Sequence, residues 1–301
     1  MITSLAPRRL QPLPRTVAPL HRESWDSYLR RLARANRIPS RLLHEHLDDP
    51  ARIQPAPLPL LEAICDLSGQ PRDRLLRALP DLRPPRPDDS EPVASLRLAR
   101  SGWKLHPACS HCLMRKGVTD VLPRHWHWAP VSTRLCLRHG QWTDDRAKQF
   151  ALRPVPEVLQ AQRRHHRLRR QHGWGPVVLA IRAATTMMNG WFEYDAVVET
   201  RHRRMSALCR SDRRAYDNDP MVIASAYPET VALAGLLTAP GLRDLPFTGH
   251  PADMRLFIDE VRARVLPGYQ YDYDNRRDPL VHWIAQGHRR RTLPVPTAAC
   301  P

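Results

Sequence analysis

Apolar residues recur at intervals of three and four along residues 25–33, and arginines fill the positions between them. The apolar positions are Trp25, Tyr28, Leu29, Leu32 and Ala33. This period is that of an amphipathic helix with one buried face. It predicts a helix that begins after Ser24 and carries Arg30, Arg31 and Arg34 on its outer face.

Three further short helices are predicted before residue 80. Ser40 can cap a helix over residues 40–47, and apolar patterning predicts helices over 58–67 and 72–79. Gly69 lies in the turn between the last two, where a glycine can adopt the left-handed conformation that ends a helix. Short helices with tight turns are typical of a helix-turn-helix-like bundle.

The pattern of hydrophobic and polar residues changes twice along the chain. Residues 80–92 contain five prolines together with Asp88, Asp89 and Glu91 and are typical of a linker. Residues 100–145 concentrate cysteine, histidine and tryptophan. The helical period returns after Pro156 and predicts helices over residues 158–172, 177–188 and 252–265. We therefore predict a mostly α protein with an N-terminal helical domain (1–92), a zinc-ribbon domain (93–150) and a C-terminal helical domain (151–301).

The strongest local signal is a pair of metal-ligand motifs. Cys109-x-x-Cys112 is followed after 23 residues by Cys136-x-x-His139. Each pair can occupy one tight turn and supply two corners of the tetrahedron that Zn²⁺ adopts in closed structural sites. Alternation around Trp126 predicts a strand or hairpin between the pairs. The predicted cofactor is Zn²⁺, which would help to fold a module with a small core.

Two alternatives to this ligand set remain open at this stage. The pair Cys109 and Cys112 is also compatible with thiol redox chemistry, although that motif normally opens a helix in a βαβ setting. Nearby histidines are candidate substitute ligands: His106, His111, His125 and His127.

The net charge of +17 favours polyanionic partners such as nucleic acid. Only three of the 47 basic residues are lysine, and codon bias can produce such an arginine excess without selection for binding. The run from Arg163 to Arg170 places Arg163, Arg167 and Arg170 on one side of a helix. These three residues are the candidate phosphate contacts, and a solvated helix face is the alternative interpretation.

Other functional classes have little support in the sequence. The N-terminus lacks the apolar core of a signal peptide, and no stretch reaches the ~20 apolar residues of a membrane span, so a cytoplasmic protein is expected. There is no phosphate-binding Gly-x-x-x-x-Gly-Lys-Ser/Thr loop. A nuclease triad of Asp195, Glu199 and Asp259 can be drawn, but the sequence does not bring these carboxylates together.

Two segments together resemble the TniQ family. The sequence Pro19-Leu-His-Arg-Glu-Ser-Trp-Asp-Ser-Tyr-Leu-Arg-Arg-Leu-Ala33 is similar to that family's first motif, a proline-led turn running into Glu-Ser and an Arg-Leu-Ala helix. The second segment resembles the family's zinc motif through Cys109, Cys112, Trp128, Cys136, His139 and Gly140. Leu137 and Trp142 depart from its usual residues, and no second complete zinc set is found.

The resemblance implies a non-catalytic, DNA-interacting adaptor that selects the target site in transposition. It further implies DNA as a partner and a transposition ATPase or a guide-RNA effector complex as protein partners, with a homodimer left open. The alternative function is a stand-alone DNA-binding transcriptional regulator that reads a promoter with its N-terminal helices.

Overall fold

The fold is that of a computed structural model, which describes residues 11–47, 58–85, 87, 89, 91, 93–118, 125–143, 149–192, 198–209 and 220–292. These residues form thirteen α-helices and five short strands, which confirms the predicted mostly α class. The chain divides after Val131 into two compact units. The proposed division into three domains stays a prediction.

The first unit consists of short helices and one hairpin. Its helices are Trp25–Ala35 (α1), Ser40–Leu47 (α2), Leu58–Ser68 (α3), Arg72–Ala78 (α4), Ala94–Arg100 (α5) and Ser110–Met114 (α6). Its strands, Trp103–Pro107 (β1) and Trp126–Pro130 (β2), pair antiparallel with Leu105 opposite Trp128. The helices agree with the predicted bundle and the hairpin with the predicted alternation.

Helix α1 is the centre of this unit. The Ser24 hydroxyl accepts a hydrogen bond from the Ser27 amide at 3.2 Å and so caps the helix. Its inner face is fully buried at Tyr28, Leu29 and Leu32, and apolar residues of α2, α3 and α4 join the same core. Burial of this stripe explains why a short, arginine-rich segment forms a stable helix.

Local details of the first unit differ from expectation at two positions. Ser40 is the first residue of α2 rather than its cap. The predicted linker begins with a 3₁₀ turn, Pro80–Leu82, in which Pro80 is buried and Asp81 accepts hydrogen bonds from the Trp25 amide at 3.0 and 3.2 Å. Burial raises the pKa of the Asp81 carboxyl, against the lowering effect of the Trp25 hydrogen bond. Gly69 has the expected positive φ of 62°.

The second unit combines a small sheet with longer helices. Its strands are Leu135–Cys136 (β3), Gln141–Trp142 (β4) and Phe150–Ala151 (β5), paired antiparallel in that order. Its helices are Pro156–His172 (α7), Trp174–Phe192 (α8), Val198–Leu208 (α9), Pro220–Thr238 (α10), Pro240–Arg243 (α11), Pro251–Arg264 (α12) and Pro279–Thr292 (α13).

Helix α10 forms the core of the second unit. It packs against α7, α8, α9 and α12, and nearly every side chain from Ala224 to Thr238 is buried. Among the described residues it is the one helix long and apolar enough to cross a membrane, but 72% of that stretch is buried inside the protein. The sequence pattern did not predict this helix because Ser225, Pro228 and Glu229 interrupt its apolar run. Its burial is what the central helix of a water-soluble domain shows.

Candidate metal centre

The first cysteine pair lies where β1 passes into α6. Cys109 precedes the first turn of α6 and is only 5% exposed, whereas Cys112 lies within the helix and is half-buried. The Ala108 amide donates to the His125 carbonyl at 2.7 Å, which fixes the chain just before Cys109. The first pair is therefore attached to both strands of the β1–β2 hairpin.

The second pair lies in the turn between β3 and β4. Cys136 ends β3, His139 lies in the turn, and Gly140 has a φ of 58° that allows the chain to reverse. The Cys136 Sγ and the His139 Nδ1 are 3.7 Å apart. A tetrahedral Zn²⁺ with bonds of about 2.3 Å to sulfur and 2.0 Å to nitrogen would hold these atoms about 3.5 Å apart.

The four predicted ligands lie together in the structure. One ligand atom each of Cys109, Cys112, Cys136 and His139 lies within 4.8 Å of the other three. Three soft sulfurs and one imidazole nitrogen in a partly buried position form a donor set suited to zinc. These four residues could therefore hold a metal ion, as expected from a zinc-ribbon-like region.

The alternatives for the cysteine pair are less well supported by this geometry. β1 and β2 form an antiparallel hairpin, not the parallel βαβ unit in which a redox Cys-x-x-Cys normally occurs. Within the described part of the chain, the candidate metal cluster contains none of the substitute histidines. His106 and His127 instead contact each other edge to face with ring centroids 5.6 Å apart.

The segment before α1 lies against the hairpin. The Trp128 amide donates to the Arg22 carbonyl at 2.7 Å, and the Ser24 amide donates to the Trp126 carbonyl at 3.0 Å. The Ser27 hydroxyl also accepts a hydrogen bond from the Trp126 amide at 3.2 Å. Residues 22–24 thus extend the edge of β2, and α1 is attached directly to the strand that precedes the second ligand pair.

Glu23 and Arg31 form a buried ion pair that the sequence pattern does not predict. The two nitrogens of Arg31 donate to the two carboxylate oxygens of Glu23 at 2.7 and 2.6 Å, and the side chains of Arg31 and Glu23 are 10% and 1% exposed. The placement of Arg31 on the outer face of α1 is therefore wrong, because Glu23 draws its guanidinium inward. Arg34 is exposed as predicted.

A second buried network stabilises the start of β3. The Gln162 amide of α7 donates to the Ser132 carbonyl at 2.8 Å and its oxygen accepts from the Arg134 amide at 3.0 Å. The Tyr227 hydroxyl lies 3.2 Å from that oxygen and 2.7 Å from the His165 Nδ1. Nothing in the sequence pattern distinguishes these residues, since His165 lies inside an arginine-rich run.

The candidate phosphate contacts share one face of α7. Arg163, Arg167 and Arg170 are all exposed, whereas His165 and Leu168 on the opposite side are buried. None of the three arginines forms an ion pair with another residue that the structure describes. The helix therefore presents their three guanidinium groups to solvent.

A groove of about 470 Å³ in the first unit is lined mainly by aromatic and small side chains, and its two carboxylates, Asp26 and Asp81, are bound by Arg30 and the Trp25 amide. In the nuclease triad drawn above, Glu199 and Asp259 are exposed on separate helices. Asp195 lies outside the described residues.

Comparison with known proteins agrees with the resemblance seen in the sequence. The TniQ family model matches residues 14–141, a segment that includes both sequence motifs and all four candidate ligands. No curated protein and no solved structure matches the chain. Residues 14–141 of this chain are therefore a TniQ-family domain.

Proposed function

We propose that the protein is a non-catalytic, DNA-interacting adaptor that selects the target site in transposition. The observation that carries this proposal is the TniQ domain at residues 14–141, a domain associated with transposition. The arginine-rich composition and net charge of +17 support a nucleic-acid partner. A cytoplasmic location follows from such a role.

The proposed cofactor is Zn²⁺, held by Cys109, Cys112, Cys136 and His139. Four protein ligands fill a tetrahedral coordination sphere and leave no position for water or substrate. The ion would stabilise the local fold rather than supply chemistry, in agreement with a non-catalytic role.

The proposed DNA contacts are Arg163, Arg167 and Arg170 of α7. Within the same unit, Arg204 is 7% exposed and is held by Glu157 at 2.9 Å and Glu229 at 2.6 Å. The charge of the buried Arg204 is therefore balanced by two carboxylates, as a structural role requires. The three α7 arginines have no such partners in the described chain, which leaves their charge available for phosphate groups.

A salt titration of DNA binding tests this assignment. Changing Arg163, Arg167 and Arg170 to alanine should flatten the dependence of log affinity on log salt by up to about 3 units, because each phosphate contact on a duplex contributes about 0.9. The loss should be similar for every DNA sequence. Equal slopes and equal affinities for the wild type and the triple variant would reject the phosphate role.

The proposed protein partners are a transposition ATPase or a guide-RNA effector complex. Affinity purification of the tagged protein from its host, with bound proteins and nucleic acid identified, tests this part. Recovery of an integrase and an ATPase supports the adaptor, whereas recovery of promoter DNA alone supports the alternative of a transcriptional regulator. Recovery of an untagged copy of the chain together with the tagged one would indicate a homodimer.

A further inference from the structure

The groove of the first unit lies between α1, β2 and the 3₁₀ turn Pro80–Leu82. Its volume of about 470 Å³ falls within the range of about 300–1,000 Å³ that is usual for ligand sites. Hydrogen bonds connect its walls. The Trp25 amide donates to the two Asp81 carboxylate oxygens at 3.0 and 3.2 Å, and the Ser24 amide donates to the Trp126 carbonyl at 3.0 Å. The groove is therefore formed before any partner binds.

The lining of the groove is mainly apolar. Three tryptophans contribute to it together with small and aliphatic residues, and these residues are Trp25, Trp126, Trp128, Val93, Ala94 and Leu105. Val93 and Leu105 are 49% and 41% exposed, and Trp25 and Trp126 are half-buried. Exposed apolar surface that adjoins a groove is typical of a site for a protein partner.

Asp81 gives the groove an unbalanced negative charge. The other two charged residues of the lining, Asp26 and Arg30, form an ion pair with each other, so their charges cancel. Asp81 accepts hydrogen bonds from a neutral amide, and no basic side chain of the described residues lies within ion-pair distance of it. Burial raises the pKa of the Asp81 carboxyl, and the negative charge of Asp26 adds to this effect. A cation beside Asp81 would therefore be stabilised.

An arginine or lysine side chain of a protein partner has the chemistry that these surroundings require. Its charged group can bind the Asp81 carboxylate and can also lie over a tryptophan ring, which attracts a cation within about 6 Å of the ring centroid. The same unit already contains such a contact, because the Arg22 guanidinium lies 4.6 Å from the centroid of the Trp103 ring. A nucleic-acid phosphate is a poor occupant, since Asp81 would repel it.

We propose that this groove binds a short segment of a protein partner that carries an arginine or lysine beside an apolar residue. The basic side chain binds Asp81 near Trp25 and Trp126, and the apolar side chain packs on Val93 and Leu105. The inference deepens the proposed adaptor function by giving the chemical class of the partner, and it rests on that function for the partner's role in transposition.

Fluorine NMR of the full chain labelled with 5-fluorotryptophan tests the groove. The probe is the tripeptide acetyl-Leu-Arg-Leu-amide, and the variants Trp25→Phe and Trp126→Phe assign two signals by their disappearance. We expect the probe to shift these two signals but not that of Trp174, which is 40% exposed in the second unit. The same tripeptide with glutamine in place of arginine should bind about tenfold more weakly, because hydrogen bonds to charged groups are the stronger ones.

Two variants test the residues that bind the probe. Asp81→Asn should remove the preference for arginine, so that both tripeptides bind this variant equally. Asp73→Asn is the matched control and should keep the preference, because Asp73 is an exposed carboxylate of α4 that does not line the groove. Equal binding of the two tripeptides to the wild type, or equal loss of the preference in the two asparagine variants, would overturn the role of Asp81.

Leu105→Ala tests the apolar part of the groove and does not depend on whether Asp81→Asn folds. Leu105 is partly exposed, so its truncation should leave the fold intact and weaken both tripeptides by the same factor. Unchanged binding of both would show that the apolar side chain of the probe does not pack here.

The remaining outcomes separate this inference from the proposed function. If neither tripeptide shifts the two signals, the groove is rejected as a peptide site, while DNA binding by α7 is judged by its own salt titration. If a DNA duplex shifts them instead, or if raising the protein concentration alone does so, the occupant is nucleic acid or a second copy and the proposal is wrong. If the tripeptide binds as expected but the chain binds no duplex, the peptide site stands and the DNA-interacting function fails.

Discussion

Glu23 contacts three parts of the first unit. It binds Arg31 of α1 with both carboxylate oxygens, accepts a hydrogen bond from the Leu20 amide at 2.9 Å, and its backbone pairs with His127 of β2. The Glu-Ser sequence of the first TniQ motif thus has a structural explanation, in which Glu23 fixes the turn and Ser24 caps the helix.

Replacing Glu23 by glutamine should leave the buried Arg31 charge without its counterion. Breaking a buried pair in this way typically costs about 3–5 kcal/mol, and urea unfolding of the variant measures the loss. The control is Glu45→Gln, because Glu45 and its partner Arg41 are 52% and 88% exposed and their pair should contribute less than about 1 kcal/mol. Equal, small losses in both variants would show that Glu23 does not stabilise the unit.

His165 makes the second unit sensitive to acid. Burial lowers its pKa from 6.5 to about 3, and the positive charge of Arg134 contributes to the same shift. The folded protein therefore binds this proton less readily than the unfolded chain. The contribution of the neutral His165 side chain to the free energy of unfolding is fully present above pH 6.5 and is lost as pH falls towards about 3.

Between about pH 7.5 and 5.5 the free energy of unfolding should therefore fall by about 1.4 kcal/mol more in the wild type than in His165→Gln. Urea unfolding of both proteins at the two pH values measures this difference. Comparing the two proteins at the same pH cancels the contribution of other titrating groups, including metal ligands. An identical loss in both would mean that His165 is accessible to protons in the folded state.

At the scale of the element, α1 shows how a short helix depends on its buried face. Leu29 is fully buried, and its truncation to alanine should cost about 2–5 kcal/mol. Leu42 of α2, which is 54% exposed, is the matched control. Thermal or urea unfolding compares the two variants, and a change near zero for Leu29→Ala would indicate that this face is not packed in solution.

At the scale of the whole molecule, the metal site depends on residues that are distant in sequence. Structural zinc contributes to folding free energy, at about 10 kcal/mol or more in finger peptides. We therefore expect one Zn²⁺ per chain by elemental analysis and a lower unfolding temperature after chelation. Less than about half an equivalent in well-folded protein would contradict the site.

Cysteine variants test which residues bind the ion. Cys109→Ser should lower the zinc content and the solubility of the protein. Cys65→Ser should retain the wild-type zinc content, because Cys65 is a half-buried residue of α3 outside the candidate cluster. Unchanged metal in Cys109→Ser would remove Cys109 from the ligand set.

The sequence by itself determined the features that depend on local spacing. The period of residues 25–33 predicted α1 and its start after Ser24. The spacing of the two Cys/His pairs predicted the candidate ligand cluster. Helical periodicity likewise placed Arg163, Arg167 and Arg170 on one exposed face. These features follow from helix geometry and ligand chemistry, which act over a few residues.

Only the tertiary structure decided which polar residues are buried and with what partner. Arg31 and Arg34 are both arginines of α1, yet one lies inside with Glu23 and the other is exposed. Arg164 likewise lies against Gly235, a residue 71 positions away in the chain. The position of a long side chain depends on the opposite charge or the free space that another element provides. Only chain folding brings that element near, so no periodicity along the sequence predicts the contact.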